Sequence, residues 1–250
     1  MLPFERLRAL ARYAGDDAGL VVEAADCLAD FAADPPQLVT VCRRLLAHHP
    51  SSGPLWWLCT QVLTATDPSK GARDAVRALE RDRTATRLSS LLPFPHDEPI
   101  AVFGWPDVTG EALADRPDLD VVVVRTGYRR PRAADRRVRV VDEVEAMAAS
   151  PSHLLVEVLA TGPTTAIVPR GVADLHRLLD EVAMWLVVPV GRLLPARLFD
   201  VLRQEVARDP DVEAIEVALA AQTAGPWGLD VPARLGAHVS CPVAPELLRI

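Results

Sequence analysis

The spacing of hydrophobic positions changes once along the chain. Apolar side chains first recur every three or four positions, which predicts a bundle of five helices in a domain over residues 1–92. The last of these helices is predicted over residues 67–92, with Asp67 as its N-cap and Pro68 in its first turn. Closely spaced prolines then interrupt the pattern, so we expect a linker over residues 93–99.

Beyond the linker, residues 100–250 alternate short runs of branched apolar residues with helical stretches. Apolar strands between helices are typical of a parallel sheet that is covered on both faces. The runs predicted as strands are Ile100–Phe103, Leu119–Val124, Val138–Val140, Leu154–Val158 and Trp185–Val188. A hairpin that turns at Thr161–Pro163 is predicted in VEVLATGPTTAIV. The fold class expected is therefore α/β, with an N-terminal helical domain followed by a Rossmann-like parallel-sheet domain.

Composition excludes several classes of protein. The formal net charge of -7 argues against a general nucleic-acid or membrane-surface binder. The four cysteines lie far apart, without the close pairs that metal sites use, and this spacing predicts buried free thiols in a reducing compartment. No apolar run is long enough to span a membrane. We expect a cytoplasmic protein that binds neither a metal nor another cofactor.

Four segments, in this order, resemble the superfamily of the regulatory subunits of translation initiation factor 2B. Its enzymes are methylthioribose-1-phosphate isomerase and ribose-1,5-bisphosphate isomerase. The family's first strand-to-helix junction is similar to IAVFGWPDVTGEAL, and its strand that closes in Glu-x-Arg-Pro is similar to VVVVRTGYRRP. Its hairpin, followed by Gly-Thr and a helix, resembles SHLLVEVLATGPTTAIVPRGVADLHRLLDEV. The next strand, with its basic-proline loop, resembles WLVVPVGRLLPARLFDVL.

The resemblance also assigns the two proton-transferring residues of the isomerases to positions of this chain. Their cysteine falls on Gly104, next to Trp105, and their hairpin aspartate falls on Leu159. Neither replacement can donate or accept a proton, so acid–base catalysis of the family type is not expected. The Gly-Thr pair becomes Gly171-Val172, whereas the Arg-Pro pair is kept as Arg130-Pro131.

Seven arginines between residues 125 and 139 make the most basic stretch of the chain. Guanidinium groups hold phosphate or carboxylate oxygens in pairs, although a solvated loop is the alternative interpretation. Arg129 and Arg130 follow the carboxyl end of a predicted strand, where ligands of parallel sheets bind. We therefore predict an oxyanion site at the strand ends. Its predicted residues are Arg129, Arg130, Gly104, Trp105, Gly162, Thr164 and Gly171.

Two functions are open at this point. One is a non-catalytic binding or regulatory protein whose ligand is a phosphorylated sugar or nucleotide. The alternative is a sugar-phosphate isomerase-like enzyme that uses Glu157 together with Asp107. Structural alternatives are an outward-facing or arginine-paired Glu157, and an Asp107 that caps a helix.

The resemblance implies a homodimer that the second domain forms. A physical reason is the helical spacing of Leu194, Leu198 and Val201, which predicts apolar surface beyond what the sheet needs.

Overall fold

The computed structural model of the protein describes residues 3–91, 94, 98–124, 137–180 and 182–249. Within these ranges, six helices precede the first strand. They are α1 (Pro3–Leu10), α2 (Asp17–Ala29), α3 (Pro35–His48), α4 (Gly53–Thr64), α5 (Pro68–Glu80) and α6 (Thr84–Ser90). The prediction of a single helix over residues 67–92 is wrong, because that stretch forms α5 and α6.

Asp82 explains the break between α5 and α6. Its Oδ1 accepts hydrogen bonds from the backbone N–H and the hydroxyl of Thr84, at 2.8 Å and 2.6 Å. These bonds satisfy donors at the start of α6, as a capping residue does. The N-cap predicted for α5 is confirmed, since the Asp67 side chain accepts from the backbone N–H of Lys70 at 3.0 Å.

Strands and helices alternate through most of the second half of the chain, which confirms the predicted α/β fold class. The elements are β1 (Ile100–Phe103), α7 (Asp107–Ala114), β2 (Val121–Val124), β3 (Val138–Val141), α8 (Glu143–Ala149), β4 (His153–Glu157), β5 (Ala160–Thr161), β6 (Thr165–Pro169), α9 (Val172–Leu178), β7 (Ala183–Val187), α10 (Ala196–Glu205), β8 (Val212–Glu216), β9 (Gln222–Gly225) and β10 (Gly228–Asp230). Three 3-10 segments complete the described chain, at Val217–Leu219, Pro232–His238 and Pro245–Leu247.

The larger sheet has the strand order β10-β9-β7-β4-β1-β2-β3, and its neighbouring strands are parallel except for β10. Alternate side chains of its inner strands point to opposite faces. Val122 and Leu154 pack on the face that α9 covers, whereas Val121 and Leu155 pack on the face that α6 and α7 cover. Burial on both faces explains why these strands are continuously apolar. The carboxyl ends of the parallel strands consequently share one edge.

The smaller sheet is antiparallel, in the order β5-β6-β8. The predicted hairpin is present as β5 and β6, and the Gly162 backbone N–H closes its turn by donating to the Thr165 carbonyl at 2.9 Å. The arm before the turn is short, because β4 already ends at Glu157 in the larger sheet.

The helical half does not have a core of its own. Buried residues of α2 and α3 such as Leu28 and Leu45 share one cluster with Leu198 of α10 and with Leu247. Leu194 and Leu198 are fully buried inside the chain, which corrects the expectation that α10 offers apolar surface to a partner. The linker predicted over residues 93–99 lies largely outside the described residues, so the two-domain division stays a prediction.

Candidate functional site

The junction between β1 and α7 lies at the carboxyl edge of the larger sheet. β1 and β4 pair in parallel, with Ala101 opposite Leu154 and Val102 opposite Leu155, so Gly104 after β1 and Glu157 at the end of β4 both lie toward this edge. Gly104 has a φ of 69°, in the left-handed region that glycine adopts without strain. The start of the turn is therefore fixed by backbone geometry, and α7 begins three residues later.

Glu157 is the last residue of β4 and is only 5% exposed. Its Oε2 accepts two hydrogen bonds from Thr109, one from the backbone N–H at 2.8 Å and one from the hydroxyl at 2.9 Å. Thr109 lies in the first turn of α7, where backbone N–H groups lack helical partners and the helix dipole is positive. The carboxylate therefore occupies the position at which a helix N-terminus binds an anion.

Arg192, in the loop after β7, compensates the charge of Glu157. Its Nη2 lies 3.2 Å from Glu157 Oε1, and its Nη1 donates to the Val158 carbonyl at 2.8 Å. Oε1 accepts no aligned hydrogen bond from any residue that the structure describes, so the contact with Arg192 is an ion pair. The side chains of Glu157 and Arg192 are 2% and 10% exposed, which makes this a buried pair. The predicted arginine-paired Glu157 is confirmed.

The pair extends to the helical half of the chain. Arg192 Nη1 lies 3.5 Å from Oδ2 of Asp17, the first residue of α2. Asp17 Oδ1 accepts a hydrogen bond from the Ser52 hydroxyl at 2.8 Å. Ser52, although it is the N-cap residue of α4, makes no capping hydrogen bond with its side chain. The result is one polar network that joins the sheet edge to the starts of three helices.

Two other predicted site residues lie on the same junction. The structure places Pro106 at the N-cap of α7 and Asp107 at its first position, one residue after the cap. The ring of Trp105 folds over α7, since a Cβ built on Gly110 would lie 2.7 Å from the Trp105 Nε1. Gly104, Trp105 and Asp107 thus lie on the β1–α7 junction, which Glu157 contacts through Thr109.

The hairpin turn between β5 and β6 contacts α10 and the C-terminal segment. A Cβ built on Gly162 would lie 2.7 Å from the Phe199 ring, so the turn packs against α10. The Thr164 carbonyl accepts from the backbone N–H of Val217 at 2.8 Å. The close approach of Gly236 to Pro163 covers the turn from the C-terminal segment.

Gly171 lies at the far end of β6 from this turn. Five residues of extended strand separate them, a distance of about 16 Å. The Gly171 and Ala173 N–H groups both donate to Glu213 Oε1, at 3.1 Å and 2.9 Å. The structure therefore does not unite Gly171 with the hairpin turn. Arg129 and Arg130 lie outside the described residues.

Arg192, Asp17, Ser52 and Thr109 are the site residues that sequence reasoning misses. A signal exists for Arg192, because it stands in the basic-proline loop of WLVVPVGRLLPARLFDVL, directly after a predicted strand. The other three residues have ordinary positions at helix starts, and their partners are distant in sequence. Within the described ranges, no three potential metal ligands lie together, and no helix has the length and apolarity to cross a membrane.

Compared by sequence alone, the chain matches no protein-family model and no curated protein. Solved structures do match its fold. The beta subunit of eIF2B from Chaetomium thermophilum superposes with a TM-score of 0.71 at 13% identity, covering 94% of this chain and 89% of that one. The tetrameric eIF2B-beta2-delta2 complex from C. thermophilum gives 0.74 at 14% identity, over 94% of this chain and 92% of that one.

An archaeal structure agrees with these two. Translation initiation factor eIF-2B from Pyrococcus horikoshii OT3 superposes with a TM-score of 0.72 at 11% identity, covering 93% of this chain and 98% of that one. At such identities the likeness concerns the fold, and the coverage is nearly complete on both sides. The resemblance predicted from four sequence segments is confirmed at this level: the chain has the fold of the initiation factor 2B regulatory subunits.

Proposed function

We propose that this chain is a non-catalytic binding or regulatory protein on the scaffold of the initiation factor 2B regulatory subunits. The observation that carries the proposal is the chemistry of the two positions to which the resemblance assigns the isomerases' cysteine and aspartate. Gly104 has no side chain, and Leu159 carries a hydrocarbon that packs against the helical core. Neither group can transfer a proton between sugar carbons.

We further propose that the ligand is a phosphorylated sugar or nucleotide. Arg129 and Arg130 follow β2, whereas Gly104 and Trp105 follow β1, and these two strands are parallel neighbours. The carboxyl ends of these two strands lie at the same edge of the sheet, which is the usual ligand edge of such sheets. The arginines suit phosphate oxygens, and the Trp105 ring offers an apolar face for a sugar or a base.

Thermal denaturation with a panel of sugar phosphates and nucleotides tests the proposal. A ligand that binds only the folded chain should raise Tm by roughly 5–10 °C at a concentration a hundredfold above Kd. Arg130→Ala should abolish that shift. Arg177→Ala is the matched control, because Arg177 is an exposed arginine on α9 that pairs with Asp174 of the same helix. The proposed site is wrong if Arg130→Ala responds like the parent, and the proposed ligand class is wrong if no compound shifts the parent.

One observation favours the alternative, an isomerase-like enzyme that uses Glu157 with Asp107. Oε1 of Glu157 accepts no aligned hydrogen bond from the described residues, so a lone pair on this oxygen is available to accept a proton. Against this, protonation would weaken the ion pair with Arg192. Sugar phosphate turnover that disappears in Glu157→Gln while folding is retained would establish the enzyme.

We also propose a cytoplasmic homodimer. The initiation factor 2B relative that superposes best among those compared above is an assembly of four subunits, and buried thiols suit a reducing compartment. Exposed apolar side chains on β3 and α8, namely Val140, Val144 and Met147, supply a contact surface. Val144→Glu should then convert a dimer to a monomer in sedimentation velocity, whereas Leu219→Glu, at another exposed apolar position, should not.

A further inference from the structure

Glu157 does more than pair with Arg192. We infer that its carboxylate is a built-in anion that fills an oxyanion site at the start of α7, so that no external anion binds there in the native chain. This inference goes beyond the proposed function and concerns a different group of donors from Arg129 and Arg130. It explains how a buried carboxylate persists at the end of an apolar strand.

Three donor groups surround the Glu157 carboxylate. Thr109 supplies an N–H and an O–H to a single oxygen, Oε2, and both bonds are shorter than 3.0 Å. Arg192 supplies a positive charge 3.2 Å from the other oxygen. A backbone N–H at a helix start, a hydroxyl and a guanidinium are the groups that proteins use to hold phosphate or carboxylate ligands. In this protein the N–H, the hydroxyl and the guanidinium all contact the carboxylate of Glu157 instead of a bound ligand.

Burial distinguishes this arrangement from an ordinary surface ion pair. The Glu157 side chain is 2% exposed, and its Oε1 is buried with no aligned hydrogen-bond donor among the described residues. Removing the carboxylate leaves a buried cavity beside Arg192 and the two Thr109 donors, with the volume of a small carboxylate. Asp17, 3.5 Å from Arg192 Nη1, remains on the other side of the guanidinium.

Chemical rescue of a truncated variant tests the inference. Glu157→Ala should melt roughly 6–20 °C below the parent, because it leaves the two Thr109 donors without an acceptor and removes the carboxylate nearest to the buried Arg192. Sodium formate or acetate should then raise the Tm of Glu157→Ala with a saturable concentration dependence. Sodium chloride at equal ionic strength provides the baseline for general salt effects.

The parent and Glu157→Leu are the controls for the rescue of Glu157→Ala. The parent should gain no more from formate than from chloride, because its own carboxylate fills the site. Glu157→Leu should be destabilised without being rescued, because the leucine side chain occupies the space. If Glu157→Ala is recovered unfolded, the same comparison is made on its refolding yield in formate against chloride.

Three experimental outcomes would overturn the inference. Equal formate shifts in the parent, Glu157→Ala and Glu157→Leu, or no shift of Glu157→Ala beyond chloride, would overturn the inference. Inorganic phosphate that stabilises the parent but not Glu157→Leu would also overturn it, because an external anion would then be using the α7 donors. None of these outcomes depends on whether a sugar phosphate or nucleotide binds at Arg130, so the two proposals fail separately.

Discussion

The backbone N–H of Val190 donates a hydrogen bond to Asp82 Oδ2 at 2.9 Å, across 108 residues of sequence. The other oxygen of the same carboxylate starts α6 through Thr84. A single side chain therefore accepts hydrogen bonds from the start of α6 and from the loop after β7. That loop also carries Arg192, so Asp82 and the Glu157 network hold neighbouring residues of the same segment.

Asp82→Ala is expected to destabilise the protein by about 2–3 kcal/mol, because it leaves the N–H groups of Val190 and Thr84 without acceptors. Asp74→Ala is the matched control. Asp74 is half exposed and contacts Arg77 at 3.5 Å within the same helix, so its loss should cost less than about 0.5 kcal/mol. Urea unfolding of both variants gives the comparison, and equal midpoints would contradict the role assigned to Asp82.

Arg192→Met should cost about 3–5 kcal/mol, because Glu157 would remain buried without its positive partner. Arg203→Met, which breaks an exposed pair with Asp200 on α10, should change stability by less than about 1 kcal/mol. Adding Glu157→Gln to Arg192→Met should return part of the lost stability, since the uncompensated charge is then removed. Strict additivity of the two single changes in urea unfolding would show that the residues are not coupled.

His153 should make stability depend on pH. Burial lowers the pKa of its imidazole below the ordinary histidine value of about 6.5, although Glu98 acts in the opposite direction. The unfolded chain then binds the proton more readily, so the contribution of His153 is complete above about pH 6.5 and is lost as pH falls through its lower folded-state pKa. The packing around the ring is consistent, with the Trp185 ring centroid 4.9 Å away.

The measurement for His153 is a series of urea midpoints between about pH 7.5 and pH 5. His153→Gln should flatten the decline toward acid, whereas His48→Gln, at an exposed position of α3, should leave the slope unchanged. A decline that is identical in the parent and in His153→Gln would assign the pH dependence to other groups.

The thiols should be unreactive in the folded protein. All four cysteines are buried. Burial raises the pKa of Cys27 to about 11 and that of Cys241 to about 12, and burial together with a neighbouring Cys42 raises the pKa of Cys59. Thiolate, the reactive form, is therefore scarce at pH 8. A disulfide reagent should titrate the thiols rapidly in guanidinium and slowly in native buffer. One fast-reacting thiol in the native protein would be inconsistent with this burial.

Local patterns explain what the sequence could predict. Val121–Val124 is buried on both faces, so its role as an inner strand is visible in four consecutive residues. The strand-to-helix junction at Gly104 is equally local. The inner strands of the larger sheet and the fold class could therefore be predicted without knowing any distant contact.

Contacts between residues that are distant in the chain explain what the sequence could not predict. The apolar spacing continues through Asp82, whose side chain accepts a hydrogen bond from the backbone N–H of Val190, 108 residues further along the chain. Arg192 becomes part of the site because Asp17 and Glu157 meet it from two other segments. Leu194 and Leu198 look like surplus apolar surface until α2 and α3 are seen to share their core.

That shared core has a consequence for the order of events during synthesis. Leu28 and Leu45 leave the ribosome well before Leu198 and Leu247, which complete the same cluster. The apolar faces of the early helices therefore stay exposed until more than a hundred further residues have been made. A nascent chain of this topology is expected to need a chaperone longer than a protein whose first half folds independently.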